Sequence, residues 1–150
     1  TDAHHPTAPD PAGRGARRAA EAALESAGWA AHQVDHVNAH GTATPLNDAM
    51  EAALIAGLYP HRPSVTAPKG VLGHTLAAGG AIEAAATVLT LEHGLVPPVA
   101  NLEAPPADWD IDCVTGQPRR QEVRRAVSHS FGFGGHNVVL AFERARHADR

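Results

Sequence analysis

Aromatic side chains are scarce, at 4% of 150 residues, so a core has to be built from alanine, valine and leucine. Side chains that small favour closely packed helices and sheets. There is one cysteine, Cys113, which excludes an internal disulfide and makes a reducing cytoplasm the simplest compartment. There is one methionine, Met50, and the chain begins at Thr1, which leads us to expect an excised or processed piece of a longer product. Basic residues are not in excess. Lys and Arg number 12 against 16 Asp and Glu, a formal charge of −4, which is not the footprint of a nucleic-acid-binding domain. Apolar runs stop short of membrane-spanning length, and nothing at the start reads as a signal peptide.

What is present fits one soluble globular domain: 43% hydrophobic and 19% charged residues over a length that supports a single core. The first dozen residues, with Pro6, Pro9, Pro11 and Gly13, read as an irregular lead-in. Ala16, Ala19, Ala20, Ala23, Leu24 and Ala27 then fall on one helical face, with Gly28 placed as the stop. A strand is expected over 34–39, followed by a turn-rich segment to Pro45. A second helix is expected to start at an Asp48–Glu51 capping box and to bury Met50, Ala53, Leu54, Gly57 and Leu58. A strand over 64–67 precedes a third helix over about 78–92. There Ile82, Ala85, Ala86 and Leu89 repeat at helical spacing, and Val88 and Leu91 widen the apolar surface, which predicts a helix covered on most sides. A long irregular stretch leads to two late strands, 126–130 and 138–142, around a glycine-rich turn. Strands interleaved with helices predict an α/β layered architecture.

Three turn-like segments stand out: His40-Gly-Thr-Ala-Thr, Lys69-Gly-Val-Leu-Gly-His74 and Phe131-Gly-Phe-Gly-Gly-His-Asn137. Each follows an expected strand, where sites in α/β folds collect, and each sets a polar side chain beside glycine. With 11 histidines in the chain, a single one carries little information, and His4, His5, His61, His93 and His147 read as surface or satisfied residues. His40 and His74 differ because each begins or ends a glycine-containing turn. The spacing of His and Cys matches no metal motif, and the last turn lacks both phosphate-loop patterns.

In order, the runs VDHVNAHGTATPLND, APKGVLGHTLAAGGAIEA, VPPVANLEAP and SHSFGFGGHNVVLAF resemble the β-ketoacyl-[acyl-carrier-protein] synthases over nearly the whole chain. The resemblance implies the carboxyl-terminal half of a thiolase-like layered αβαβα fold, with the amino-terminal half and its nucleophilic cysteine missing. It implies a decarboxylative Claisen condensation, with His40 and His74 as catalytic histidines, Lys69 as the family lysine and Glu83 as its carboxylate partner near His74. Thr42 and Thr44 resemble the hydroxyl pair that binds the phosphopantetheine arm of acyl-carrier protein. Phe131, Phe133 and Gly134 fall in the gating turn, with the Phe133 N–H completing an oxyanion hole. No cofactor of the enzyme's own is implied, since substrates ride on the phosphopantetheine of acyl-carrier protein. The implied partners are that carrier protein, the amino-terminal half, and a second subunit in a homodimer or ketosynthase heterodimer, in the cytoplasm.

The chain departs from the family pattern at several places. Cys113 does not occupy the nucleophile's segment and reads as structural. Gly70, Asn47 and His129 stand where serine, glycine and asparagine are common. A thiolase is the first alternative, but its late cysteine is replaced here by Phe133-Gly-Gly-His. A non-catalytic partner of the chain-length-factor kind is the second, although such subunits usually lose the two histidines. Arg119, Arg120, Arg124 and Arg125 are a candidate surface for acidic carrier protein, with a solvated charged loop as the competing reading.

Overall fold

A computed structural model describes residues 1–145. Helix α1 (Arg14–Ala27) ends at Gly28, whose left-handed backbone satisfies the last carbonyls. Strand β1 (His36–Asn38) leads to α2 (Pro45–Leu58), and β2 (Ser64–Thr66) to a single helical turn, α3 (Lys69–Leu72), and then to α4 (Gly79–His93). Short strands β3 (Leu95–Val96), β4 (Asp112–Cys113) and β5 (Arg119–Arg120) precede the long hairpin of β6 (Arg125–Gly132) and β7 (His136–Glu143).

The main sheet runs β4-β2-β1-β6-β7, parallel except for the antiparallel β6–β7 edge, while β3 and β5 form a separate ribbon. Neighbours on β6 point to opposite faces, and the two sides have different covers. Val127 packs with Leu24, Ala52 and Ile55 of α1 and α2. Ala126 packs with Leu91 of α4 and with Val96, Val114 and Val123. Strands β1 and β2 are buried along their whole length, as expected of parallel strands sandwiched between helices. Because β2, β1 and β6 are parallel neighbours, their carboxyl ends share one edge of the sheet. The three turns marked in the sequence leave from those ends, and His40 follows the middle strand.

Helices α2 and α4 depart from expectation. Helix α2 starts four residues early, with Thr44 rather than Asp48 as N-cap and Pro45 in its first turn, and Glu51 does not serve as a capping residue. Its buried face is Asn47, Met50, Glu51, Ala52, Leu54 and Ile55, whereas Ala53 and Gly57 are exposed. Helix α4 turns Glu83, Thr87, Thr90 and Leu91 inward and leaves Ile82, Val88 and Leu89 in solvent. The inward face is polar because Asn38 of β1 donates to the Glu83 carbonyl (2.9 Å) and to Thr87 Oγ1 (2.9 Å). Large apolar side chains are also exposed on α3 (Val71, Leu72) and β7 (Val138, Leu140). Among the described residues no helix is long and apolar enough to cross a membrane.

Candidate active site

His40 sits at the carboxyl end of β1, 7% exposed. The turn that carries it is tight: Gly41 has φ +43°, and a Cβ there would lie 2.5 Å from the Ala67 Cβ, so only glycine fits. Lys69, the only lysine in the sequence, places its amine 3.2 Å from His40 Nδ1 and 2.6 Å from the His40 carbonyl oxygen. The same amine bonds the Glu83 carboxylate at short range, and both side chains are buried. The sequence reading set this pair beside His74; the structure sets it behind His40. Parallel β1 and β2 bring Lys69 next to the middle turn, while the chain carries His74 onward past Gly73.

His74 is exposed, and its ring centroid lies 5.6 Å from that of His40 at an interplanar angle of 83°. Its Nδ1 accepts the Leu76 N–H at 3.1 Å. Both histidines thus have Nδ1 occupied by a donor, so a neutral ring at either position carries its proton on Nε2. Burial, followed by the nearby Lys69, lowers the His40 pKa to about 4, which keeps that imidazole neutral at pH 7. Burial pushes the Glu83 carboxyl up from its ordinary value, against the opposing pull of Lys69.

A cavity of about 990 Å³ opens over these groups, and all nine side chains or backbones singled out from the sequence line it. Thr42 and Thr44 stand at its wall with their hydroxyls 2.8 Å apart. Phe131 is half-buried, with its ring 5.7 Å from that of His40, while Phe133 is 71% exposed. Gly134 has φ +72° and donates its N–H to the Pro6 carbonyl at 2.7 Å. The lead-in is therefore part of the site. Asp2 donates its N–H to the Gly135 carbonyl and accepts from Asn137 Nδ2 at 2.8 Å, and a Cβ on Gly135 would collide with the Asp2 carboxylate. Proline and glycine content alone gave no sign of these contacts.

Sequence reasoning also missed Glu51. Its carboxylate is buried and accepts the His40 N–H at 2.8 Å and the Gly41 N–H at 2.9 Å. Burial opposes its charge, but the hydrogen bond from His129 and the two N–H groups outweigh this and hold its pKa below the ordinary value. A carboxylate inside an apolar helix face was the available signal, and the capping-box reading masked it.

Cys113 lies in β4, half-buried, and burial with Asp112 beside it raises its thiol to about 11. Such a thiol is a poor nucleophile. The arginine cluster is at the other end of the sheet, since β6 runs from Arg125 to Gly132 at the cavity, roughly 23 Å for a strand of that length. Arg119, Arg124 and Arg125 each pair with a carboxylate, Asp112, Glu122 and Glu143 respectively.

Residues 1–103 match the family described as "Beta-ketoacyl synthase, C-terminal domain". The chain belongs to the β-ketoacyl synthase family, as its carboxyl-terminal domain. It is 47% identical over 146 residues to the 3-oxoacyl-[acyl-carrier-protein] synthase 2 of Synechocystis sp., covering 95% of this chain and 35% of that one. It superposes on a β-ketoacyl synthase from Burkholderia phymatum with TM-score 0.90 and 36% identity, over 97% of this chain and 36% of the other. A type II PKS acyl-carrier protein in complex with its ketosynthase bound to the hexaketide also matches, with TM-score 0.91 and 29% identity, over 97% and 36% of the two chains. The chain thus spans about a third of the length of the curated relatives it matches. The α/β layers follow the fold of these ketosynthases.

Proposed function

We propose that this domain supplies the decarboxylation half of a 3-oxoacyl-[acyl-carrier-protein] synthase in fatty acid or polyketide synthesis, joined to an amino-terminal half that carries the nucleophilic cysteine. The observation that carries the reading is the pair of imidazoles facing one cavity, each with Nδ1 engaged and Nε2–H left as the donor. In the reaction the malonyl Cα–carboxyl bond breaks, carbon dioxide leaves, and the electron pair moves onto the thioester oxygen. Two N–H donors aimed at that oxygen stabilise the charge as it develops. The resulting enolate carbon attacks the acyl-cysteine thioester, a carbon–carbon bond forms, and the thiolate leaves.

Neutral His40 suits this role, because a donor that stays uncharged does not trap the malonyl carboxylate in place. Lys69 and Glu83 hold His40 from behind. Thr42 and Thr44 offer hydroxyls to a phosphopantetheine arm, so substrates arrive on acyl-carrier protein and no further cofactor takes part. Phe133 and Gly134 form the gate, and the Phe133 N–H serves the acyl-enzyme carbonyl. The exposed apolar residues of α3, α4 and β7 are suited to burial against the amino-terminal half, and the full enzyme works as a homodimer or ketosynthase heterodimer in the cytoplasm. The intact His, Lys and Glu set speaks against a non-catalytic partner subunit, and the absence of cysteine from the late turn speaks against a thiolase.

The test is release of labelled carbon dioxide from malonyl-acyl-carrier protein by the full-length enzyme. His40→Ala and His74→Ala should each lower the rate roughly a hundredfold, the usual loss for one such donor, while acylation of the cysteine partly survives. Normal condensation by either variant would refute the assignment.

A further inference from the structure

Asn47 and His129 stand on different elements, α2 and β6, yet both side chains end on the same carboxylate. His129 Nδ1 lies 3.0 Å from Glu51 Oε1, and Asn47 Nδ2 lies 3.3 Å from Glu51 Oε2. Each oxygen of Glu51 therefore takes one backbone N–H of the His40–Gly41 turn and one side-chain donor. His129 is fully buried and its Nδ1 is the donor, since the carboxylate offers only acceptors. Its Nε2 has no partner among the described residues. On its other side the His129 ring packs 5.4 Å from Phe131, which in turn packs against His40.

We propose that Glu51, loaded by His129 and Asn47, is a positioning carboxylate that fixes the peptide of the His40 turn and thereby aims the His40 imidazole. This deepens the reading of the site as a decarboxylation centre and rests on it. Two anchors define the direction of a ring: its backbone and one ring nitrogen. Lys69 holds the nitrogen, and Glu51 holds the backbone through two N–H groups that would otherwise be left unpaired inside the protein. The carboxylate itself is free to swing unless its remaining lone pairs are taken, and His129 and Asn47 take them. Hydrogen-bonded carboxylates of this kind order the groups they bind, and a displacement of about 1 Å at a reacting centre is worth on the order of a hundredfold in rate.

The experiment uses the full-length enzyme and three variants, with malonyl-acyl-carrier protein decarboxylation measured well below the melting temperature. His129→Leu should lower kcat roughly tenfold with KM unchanged, because donor aim rather than substrate affinity is lost. His129→Asn, whose amide can still donate to Oε1, should recover most of that loss. The imidazole N–H resonance of His40 should shift or broaden in His129→Leu and return in His129→Asn, a recovery that packing against Phe131 would not produce, since Asn restores the donor to Glu51 and not the ring. Should His129→Leu fail to fold, Glu51→Gln takes its place: a carboxamide keeps the volume but loses one N–H acceptor, and kcat should again fall roughly tenfold. Wild-type kcat in these variants, or equal impairment of His129→Leu and His129→Asn, overturns the proposal. His40→Ala in the same assay separates the two levels. If it is inactive while the others are normal, only the positioning network falls; if it is normal, the decarboxylation reading falls and takes the network with it.

Discussion

The two ends of the parallel sheet handle charge in opposite ways. At the carboxyl edge, Lys69, Glu83, Glu51 and His129 are all withdrawn from water, and the side-chain hydrogen bonds of Lys69 and Glu51 go to the His40 turn or its supports. At the amino edge, Arg124 meets Glu122 with side chains 72% and 64% exposed, and Arg62 meets Asp110 at 53% and 77%. Counting ion pairs treats these ends alike. Physics separates them, because removing one member of a buried pair strands a charge where water cannot reach, while an exposed survivor simply hydrates. Charge buried beside a cavity therefore marks the site better than charge clustered in sequence, which is where the arginine run pointed.

The sharpest way to break that contrast is to delete the buried cation. Lys69→Met leaves Glu83 buried and unpaired and removes the donor to His40 Nδ1. Urea denaturation of the protein should show a loss of about 3–5 kcal/mol, the range for a broken buried pair. Carbon dioxide release should fall as well, since the His40 ring loses its anchor. A loss below about 1 kcal/mol would place this pair with the exposed ones and erase the distinction between the two ends.

A second effect follows from burial itself. Burial lowers His36, on β1, and His40 from an ordinary 6.5 to about 4. The unfolded chain binds protons at 6.5, so between pH 6.5 and 4 it holds more of them than the folded chain does. The contribution of these two groups to stability therefore rises with pH through that window, is complete above it, and is lost below pH 4. A shift of this size corresponds to about 3 kcal/mol per group. Denaturation curves from pH 7 to 4 should move steadily downward, and His36→Asn, whose amide can still reach Ser64 Oγ, should flatten the slope by one proton. An unchanged slope in the variant would mean that His36 does not titrate in this window.

The layered fold and the position of the site could be read from the chain because they rest on local signals. Glycine beside histidine after a strand, and the alanine stripe of α1, need no tertiary information. The inward polar face of α4 could not be read that way, because Glu83 and Thr87 face the sheet only to meet Asn38 and Lys69, partners far away in sequence. Glu51 was hidden for the same reason: a helix-start pattern three residues after Asp48 is a local rule, and two backbone N–H groups from the β1 turn override it. The lead-in looked irregular, which it is, yet irregular backbone also hydrogen-bonds, and Asp2 and Pro6 find the glycine turn only in the folded chain. Long-range polar pairing is the part of a fold that periodicity does not encode.

The smallest expected effect lies at the solvated end. Arg124→Ala removes the guanidinium that meets Glu122 at 3.0 Å, leaving a carboxylate already mostly in water. The backbone N–H of Arg124, which donates to Asp35 Oδ2 at 2.8 Å, survives the substitution and keeps the start of β6 in place. Stability should change by less than about 1 kcal/mol, with what change there is disappearing in high salt. The same variant bears on carrier-protein docking, because this end of β6 is separated from the cavity by the length of the strand. If Arg124→Glu leaves the KM for acyl-carrier protein and its salt dependence untouched, the arginine run is a solvated loop. A several-fold rise in KM would instead show that the carrier protein reaches around to the far end of the sheet, and the division of labour between the two ends would have to be redrawn.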